Sequence, residues 1–94
     1  MSFLKYHSGS RFGLSEERQS YIYWLCRNIE RLPVRQQKII KKLIFETAEG
    51  QEEALREALC TGRTLYSVAT KHYMDEATLQ RKVNKFYKKA AEVL

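Results

Sequence analysis

The stretch Thr64–Leu94, TLYSVATKHYMDEATLQRKVNKFYKKAAEVL, decides the fold. Leu65, Val68 and Ala69 share one face of a short helix. Leu79, Val83, Phe86 and Ala90 recur at spacings of four, three and four, which makes a single apolar stripe on a longer one. Asp75 sits where a side chain would cap that second helix after a tight turn. Gln80, Arg81, Lys82, Lys85, Lys88 and Lys89 fill the positions between the stripe residues. A short scaffold helix that presents a polar, basic second helix is the plan of a helix-turn-helix DNA reader. The competing plan is an ordinary helical hairpin with a solvated outer face.

Upstream, the same periodicity predicts three further helices. Ser15 can cap the first, with Glu16 and Glu17 near its positive end. Ile22, Leu25, Ile29 and Leu32 form its stripe, Tyr21 and Trp24 are expected to widen it, and Tyr23 and Arg27 to face outward. Pro33 is expected to end it and to open the next helix, which runs from Val34 to about Thr47. Ile39, Ile40, Leu43 and Ile44 are its core positions, and Arg35, Lys38, Lys41 and Lys42 its edges. Gly50 separates a short acidic helix, Gln51 to Cys60, with Ala54, Leu55, Ala58 and Leu59 inward. Thr61-Gly62-Arg63 then reads as a helix end before a Thr64 cap. Nothing alternates polar and apolar over five residues, so no strand is expected. The chain reads as all-α: a small five-helix bundle over residues 14–94, ending in a helix-turn-helix at 64–94. Residues 1–13, with two glycines and three serines, read as a flexible N-terminal arm.

Ninety-four residues support one modest core, burying about 60 to 65 per cent of the unfolded surface, and leave little room for a deep enclosed active site. The chain carries 17 Lys and Arg against 11 Asp and Glu, a net charge of +6. That balance favours an anionic partner. Residues 46–57 hold five Glu and one Arg, so this segment carries −4 and the rest of the chain +10. The positive charge is therefore polarised along the sequence. Cys26 and Cys60, far apart in the sequence, match no metal or redox spacing and read as buried thiols rather than ligands or nucleophiles. With no signal peptide expected, they fit a cytoplasmic protein. No apolar run approaches the ~20 residues of a membrane span, so no membrane partner is expected.

On a helix-turn-helix plan, the first two turns of the second helix lie nearest the base edges. Gln80 can pair with adenine, Arg81 with guanine, and Thr78 can meet a thymine methyl or a phosphate. Lys82, Lys85, Lys88 and Lys89 lie further along, where phosphates pass. Asp75 and Glu76 oppose this reading through repulsion of phosphates, although Asp75 is suited to a cap and Glu76 can accept from cytosine.

Leu32-Pro33-Val34-Arg35-Gln36-Gln37-Lys38-Ile39-Ile40 resembles the LP-x-R-x-R-x-I/V-I/V opening of the C-terminal promoter-reading domain of bacterial sigma factors. Leu65-Tyr66-Ser67-Val68-Ala69 is similar to that family's S-x-x-E-I-A, and Asp75-Glu76-Ala77-Thr78-Leu79 to its S-E-x-T-V. The resemblance covers about two thirds of the chain and extends to small sigma-like regulators of phages and mobile elements. It implies transcription regulation, double-stranded DNA as partner, contacts from Thr78, Gln80, Arg81 and Lys82, and backbone support from Lys85 and Arg63. RNA polymerase and a second copy of the chain are the further partners such a protein can have. Two departures stand out. His72-Tyr73 replaces the family's Leu-Gly in the turn, so either the turn is reshaped or Tyr73 carries strain. The acidic connection between Ile44 and Thr64 is also longer than in a sigma-factor domain, and a complete sigma factor is not expected.

The remaining constellations point nowhere. Cys26, Cys60, His7 and His72 have no zinc-ligand spacing, and no cofactor is expected. Phosphate loops, nucleophile triads and nuclease carboxylate sets are missing from the sequence, so no enzyme activity is expected. The rival reading is a protein-interaction module whose basic, aromatic surface meets an acidic partner. The acidic segment would then be an interaction face, or an internal mimic that covers the basic helix until a target displaces it.

Overall fold

In a computed structural model of the chain, residues 15–94 are described, and they form five α-helices with no strand among them. These are α1 (Glu16–Arg27), α2 (Val34–Ala48), α3 (Glu52–Cys60), α4 (Leu65–Lys71) and α5 (Glu76–Val93), with a 3-10 turn at Ile29–Arg31. The arm expected over residues 1–13 lies outside the described residues.

The Ser15 hydroxyl accepts from the Arg18 amide at 3.2 Å and caps α1 as expected. The end of α1 is not where proline puts it. Asn28 closes the helix by sending both its backbone and its side-chain N–H to the Trp24 carbonyl, at 3.0 and 2.9 Å. The chain then tightens into the 3-10 turn, which still packs Ile29 and Leu32 against the core. The expected core role of Tyr21 and Trp24 is also corrected: they are 42 and 54 per cent exposed. Ile22, Leu25 and Cys26 centre the buried stripe, and at about 100° per residue Trp24 falls nearly opposite. Tyr23, expected outside, packs partly on the core, and its hydroxyl accepts from Arg27.

Pro33 occupies the cap position of α2, and the Gln37 side chain donates to the Leu32 carbonyl at 2.8 Å. Ile40, Leu43, Ile44 and Ala48 are buried, and so is Thr47, whose hydroxyl is satisfied by the Leu43 carbonyl. Ala54, Leu55, Ala58 and Leu59 are the inner face of α3. Thr64 caps α4 by accepting from the Ser67 amide at 3.0 Å. All these faces meet on α5, which packs against each of the other four helices. Leu79, Val83, Phe86 and Ala90 are buried as the spacing requires, and Tyr87 joins them edge-to-face with Phe86. Each large apolar side chain so buried contributes about 1.5–3 kcal/mol. Arg18 ties α1 to the far end of α5 by donating to the Ala91 carbonyl. No helix among the described residues is long and apolar enough to cross a membrane.

Candidate nucleic-acid interface

Burial of one face of α5 fixes what the other presents. With Leu79, Val83 and Phe86 inward, the helical repeat turns Ala77, Thr78, Arg81, Lys85, Lys88 and Lys89 outward. Arg81, Lys85, Lys88 and Lys89 are exposed and Thr78 is half-buried. The Arg81 guanidinium donates to the Thr78 hydroxyl at 3.2 Å, one turn back, so the two side chains form a unit near the start of the helix. Lys88 and Lys89 take no ion pair among the described residues.

Gln80 and Lys82 do not share this face. Two residues apart on a helix is about 200°, so they lie on opposite flanks. Gln80 is half-buried and donates to the Asn84 side chain at 2.9 Å. The Lys82 side chain is only 13 per cent exposed. Arg63 is exposed in the link before α4, beside the Thr64 cap. The eight residues singled out by sequence therefore divide. Thr78, Arg81, Lys85, Lys88 and Lys89 form one outward face, Gln80 and Lys82 flank it, and Arg63 stands apart in the chain.

The connection from α4 to α5 is four residues, His72 to Asp75. The Met74 amide donates to the Ala69 carbonyl at 2.9 Å and the Tyr73 amide to Thr70 at 3.2 Å. That pair of bonds is the Schellman closure of a helix C-terminus, in which the residue at Tyr73 adopts left-handed angles. Tyr73 does so, with φ 56°, although it has a Cβ and its side chain is almost fully exposed. Of the two alternatives posed by the sequence, the second is seen: Tyr73 sits in the left-handed region and carries the strain. Half-buried Met74 supplies the apolar contact beneath it. Asp75 occupies the cap position of α5 in extended conformation, but its side chain caps nothing, a correction to the expected hydrogen bond.

Two carboxylates brace this region from outside. Glu57 of α3 accepts from Lys71 at 2.7 Å and contacts His72 at 3.1 Å, pinning the end of α4. Lys71 chiefly, with His72, holds its carboxyl below the usual range, against the opposing effect of burial. Glu49 accepts from Lys85 at 3.0 Å with one oxygen and from Lys82 at 3.3 Å with the other. The Lys85 and Lys82 hydrogen bonds lower the Glu49 pKa. Glu49 ends α2 at φ 52°, ψ 51°, a left-handed conformation, and Gly50 follows at φ 94°. Sequence reading offered a cover from this segment as one of two alternatives and did not single out Glu49 for it. The signal was an acidic side chain immediately before a glycine at a helix end.

Comparison of the chain with protein-family models, with curated proteins and with solved structures found no match to any of the three.

Proposed function

We propose that this chain is a DNA-binding regulator of transcription, of the sigma-like helix-turn-helix type, that reads the major groove with α5. The carrying observation is the outward face of α5: an Arg81–Thr78 unit at its start and three exposed lysines behind it. Side chains in the first turns of a recognition helix meet base edges, and those further along meet phosphates. Arg81 would address a guanine, and Lys85, Lys88 and Lys89 the backbone. Arg63, exposed beside the N-terminus of α4, would assist on the backbone. Gln80 and Lys82, on the flanks, would contact groove walls rather than the groove floor.

With Arg81 on a base, the other five cations, Arg63, Lys82, Lys85, Lys88 and Lys89, correspond to about five neutralised phosphates. Log affinity should then fall with log salt at a slope near −4.5, several hundredfold between 50 and 200 mM. Fluorescence anisotropy with a mixed-sequence duplex checks this, and binding that is flat in salt would contradict it.

One observation favours a second reading, a module that docks on another protein. Tyr21, Trp24, Tyr66 and Tyr73 are all exposed, and aromatic side chains are the usual anchors of protein interfaces. That reading predicts binding that survives salt and fails on Trp24→Ala.

A further inference from the structure

The fold leaves one face of α1 uncovered. Glu17, Tyr21, Trp24 and the cap residue Asn28 follow at intervals of four, three and four, so at about 100° per residue they lie within roughly 60° of one another. Tyr21 and Trp24, both exposed, are the middle of this stripe, and with Glu16, Glu17 and Ser20 they line a shallow groove. Asn28 carries the stripe into a cleft of about 580 Å³ between the ends of α1 and α3 and the edge of α2. Arg27, Arg31, Lys41 and Arg56 line that cleft against a single carboxylate, Glu30. The stripe thus runs from acid through aromatic to base. Glu16, Glu17 and Arg31 take no ion pair among the described residues, so these charges have no partner within the fold described.

Such a pattern is its own complement when reversed. A two-fold axis at right angles to α1, passing between Tyr21 and Trp24, lays the same stripe of two copies face to face in opposite directions. Glu17 and Asn28 each lie about 8 Å from that axis along the helix, so the Glu17 of one copy comes over the Asn28 of the other, at the mouth of the cationic cleft. The composition of α1 also suits a contact: it presents two exposed aromatic rings and holds no lysine. Aromatic residues are enriched and lysine is depleted where proteins meet. Phe45 of α2 is exposed as well, but Lys41 and Lys42 are exposed beside it, and a reversed copy there would set lysine against lysine.

We propose that a second copy of this chain docks antiparallel on α1, with each Tyr21 against the partner's Trp24. Each pair of glutamates, Glu16 and Glu17, then faces Arg27 and Arg31 of the other copy. The aromatic centre supplies the buried area and the charged ends set the direction, because a parallel pairing would bring acid against acid and base against base. The contact is one helix face, smaller than the ~800 Å² per partner of a standard interface. The dimer is therefore weak, with a dissociation constant between about 1 µM and 1 mM. It uses neither α5 nor its outward cations, and it stands whether or not α5 reads DNA.

Trp24 is the only tryptophan of the chain, so its fluorescence reports on the contact directly. The test dilutes the full chain, without DNA, from about 1 mM to about 1 µM. Emission should move to the red on dilution, and sedimentation equilibrium should show dimer giving way to monomer over the same range. A monomer at the highest concentration, or emission that is the same throughout, would overturn the proposal; the latter with blue emission would mean that the face is covered within a single chain. Glu17→Arg and Arg31→Glu change exposed side chains, and each should weaken association about tenfold, since each sets like charges opposite one another twice per dimer. An equimolar mixture of the two variants should associate about as tightly as the wild type, because every facing pair is then opposite in sign. A mixture no tighter than either variant alone would overturn the antiparallel pairing. Should either variant fail to fold by circular dichroism, Trp24→Ala decides: a folded Trp24→Ala chain that still forms dimers places the contact elsewhere and overturns it.

Discussion

Among the described residues, two helix ends are closed by a non-glycine residue in left-handed conformation, Glu49 after α2 and Tyr73 after α4. Their backbones are alike and their side chains are not. Glu49 sends its carboxylate back onto α5, where it holds Lys82 and Lys85. Tyr73 sends its ring into solvent, where it is 96 per cent exposed. At the first turn the strain accompanies a long-range contact that a glycine would remove. At the second the side chain takes no hydrogen bond or ion pair among the described residues. A strained, exposed aromatic beside a basic helix suits a residue kept for something outside the chain. On the proposed reading, that something is the target of α5.

The largest expected effect on stability concerns the brace behind Tyr73. Glu57→Gln leaves Lys71 and His72 without their carboxylate and should lower stability by about 1 kcal/mol. Because Glu57 is held below the ordinary carboxyl range in the folded chain, its contribution is present above that range. It is lost as pH falls through its depressed value, below 4.5. Thermal melts of the two proteins should therefore differ at pH 7 and converge in acid. A gap that persists in strong acid would place the effect elsewhere.

The second effect has the opposite sign. Tyr73→Gly removes a Cβ from a left-handed site and should stabilise by about 0.5–1 kcal/mol, net of the added freedom of the unfolded chain. Urea unfolding checks it, and destabilisation would show that the Tyr73 ring packs on the fold after all.

The smallest effect on stability, and the one that most sharpens the contrast, belongs to Glu49→Gln. Its carboxylate is exposed, so unfolding should barely shift. Affinity for duplex DNA at 50 mM salt should nevertheless rise a few-fold, since Lys82 and Lys85 no longer need to leave an internal partner. Weaker DNA binding by this variant would mean that Glu49 positions the lysines rather than covering them.

The fold was largely legible because its signals are local. Ser15 and Thr64 cap where their hydroxyls suggest, and the 4-3-4 spacing from Leu79 to Ala90 fixes the buried face of α5. Where reading failed, a local signal competed with a non-local one. Pro33 looked like the end of α1, but Asn28 closes it earlier, and the apolar spacing continues unbroken through a 3-10 turn of different pitch. Trp24 looked like core, yet the stripe was already filled by Ile22, Leu25 and Cys26. For the candidate site, the outward set Thr78, Arg81, Lys85, Lys88 and Lys89 follows from helical periodicity alone. The Glu49 bridge spans 33 and 36 residues to its two lysines and depends on how α2 packs on α5. No spacing rule encodes it.

The central claim is that the outward face of α5 reads DNA, and Arg81→Ala tests it most directly. Circular dichroism would first establish that the variant folds, and anisotropy would then compare its affinity for duplex DNA with that of the wild type. A loss of about 1 to 3 kcal/mol in binding free energy is the predicted result for an arginine that meets a base. A folded variant that binds DNA as tightly as the wild type would contradict the account.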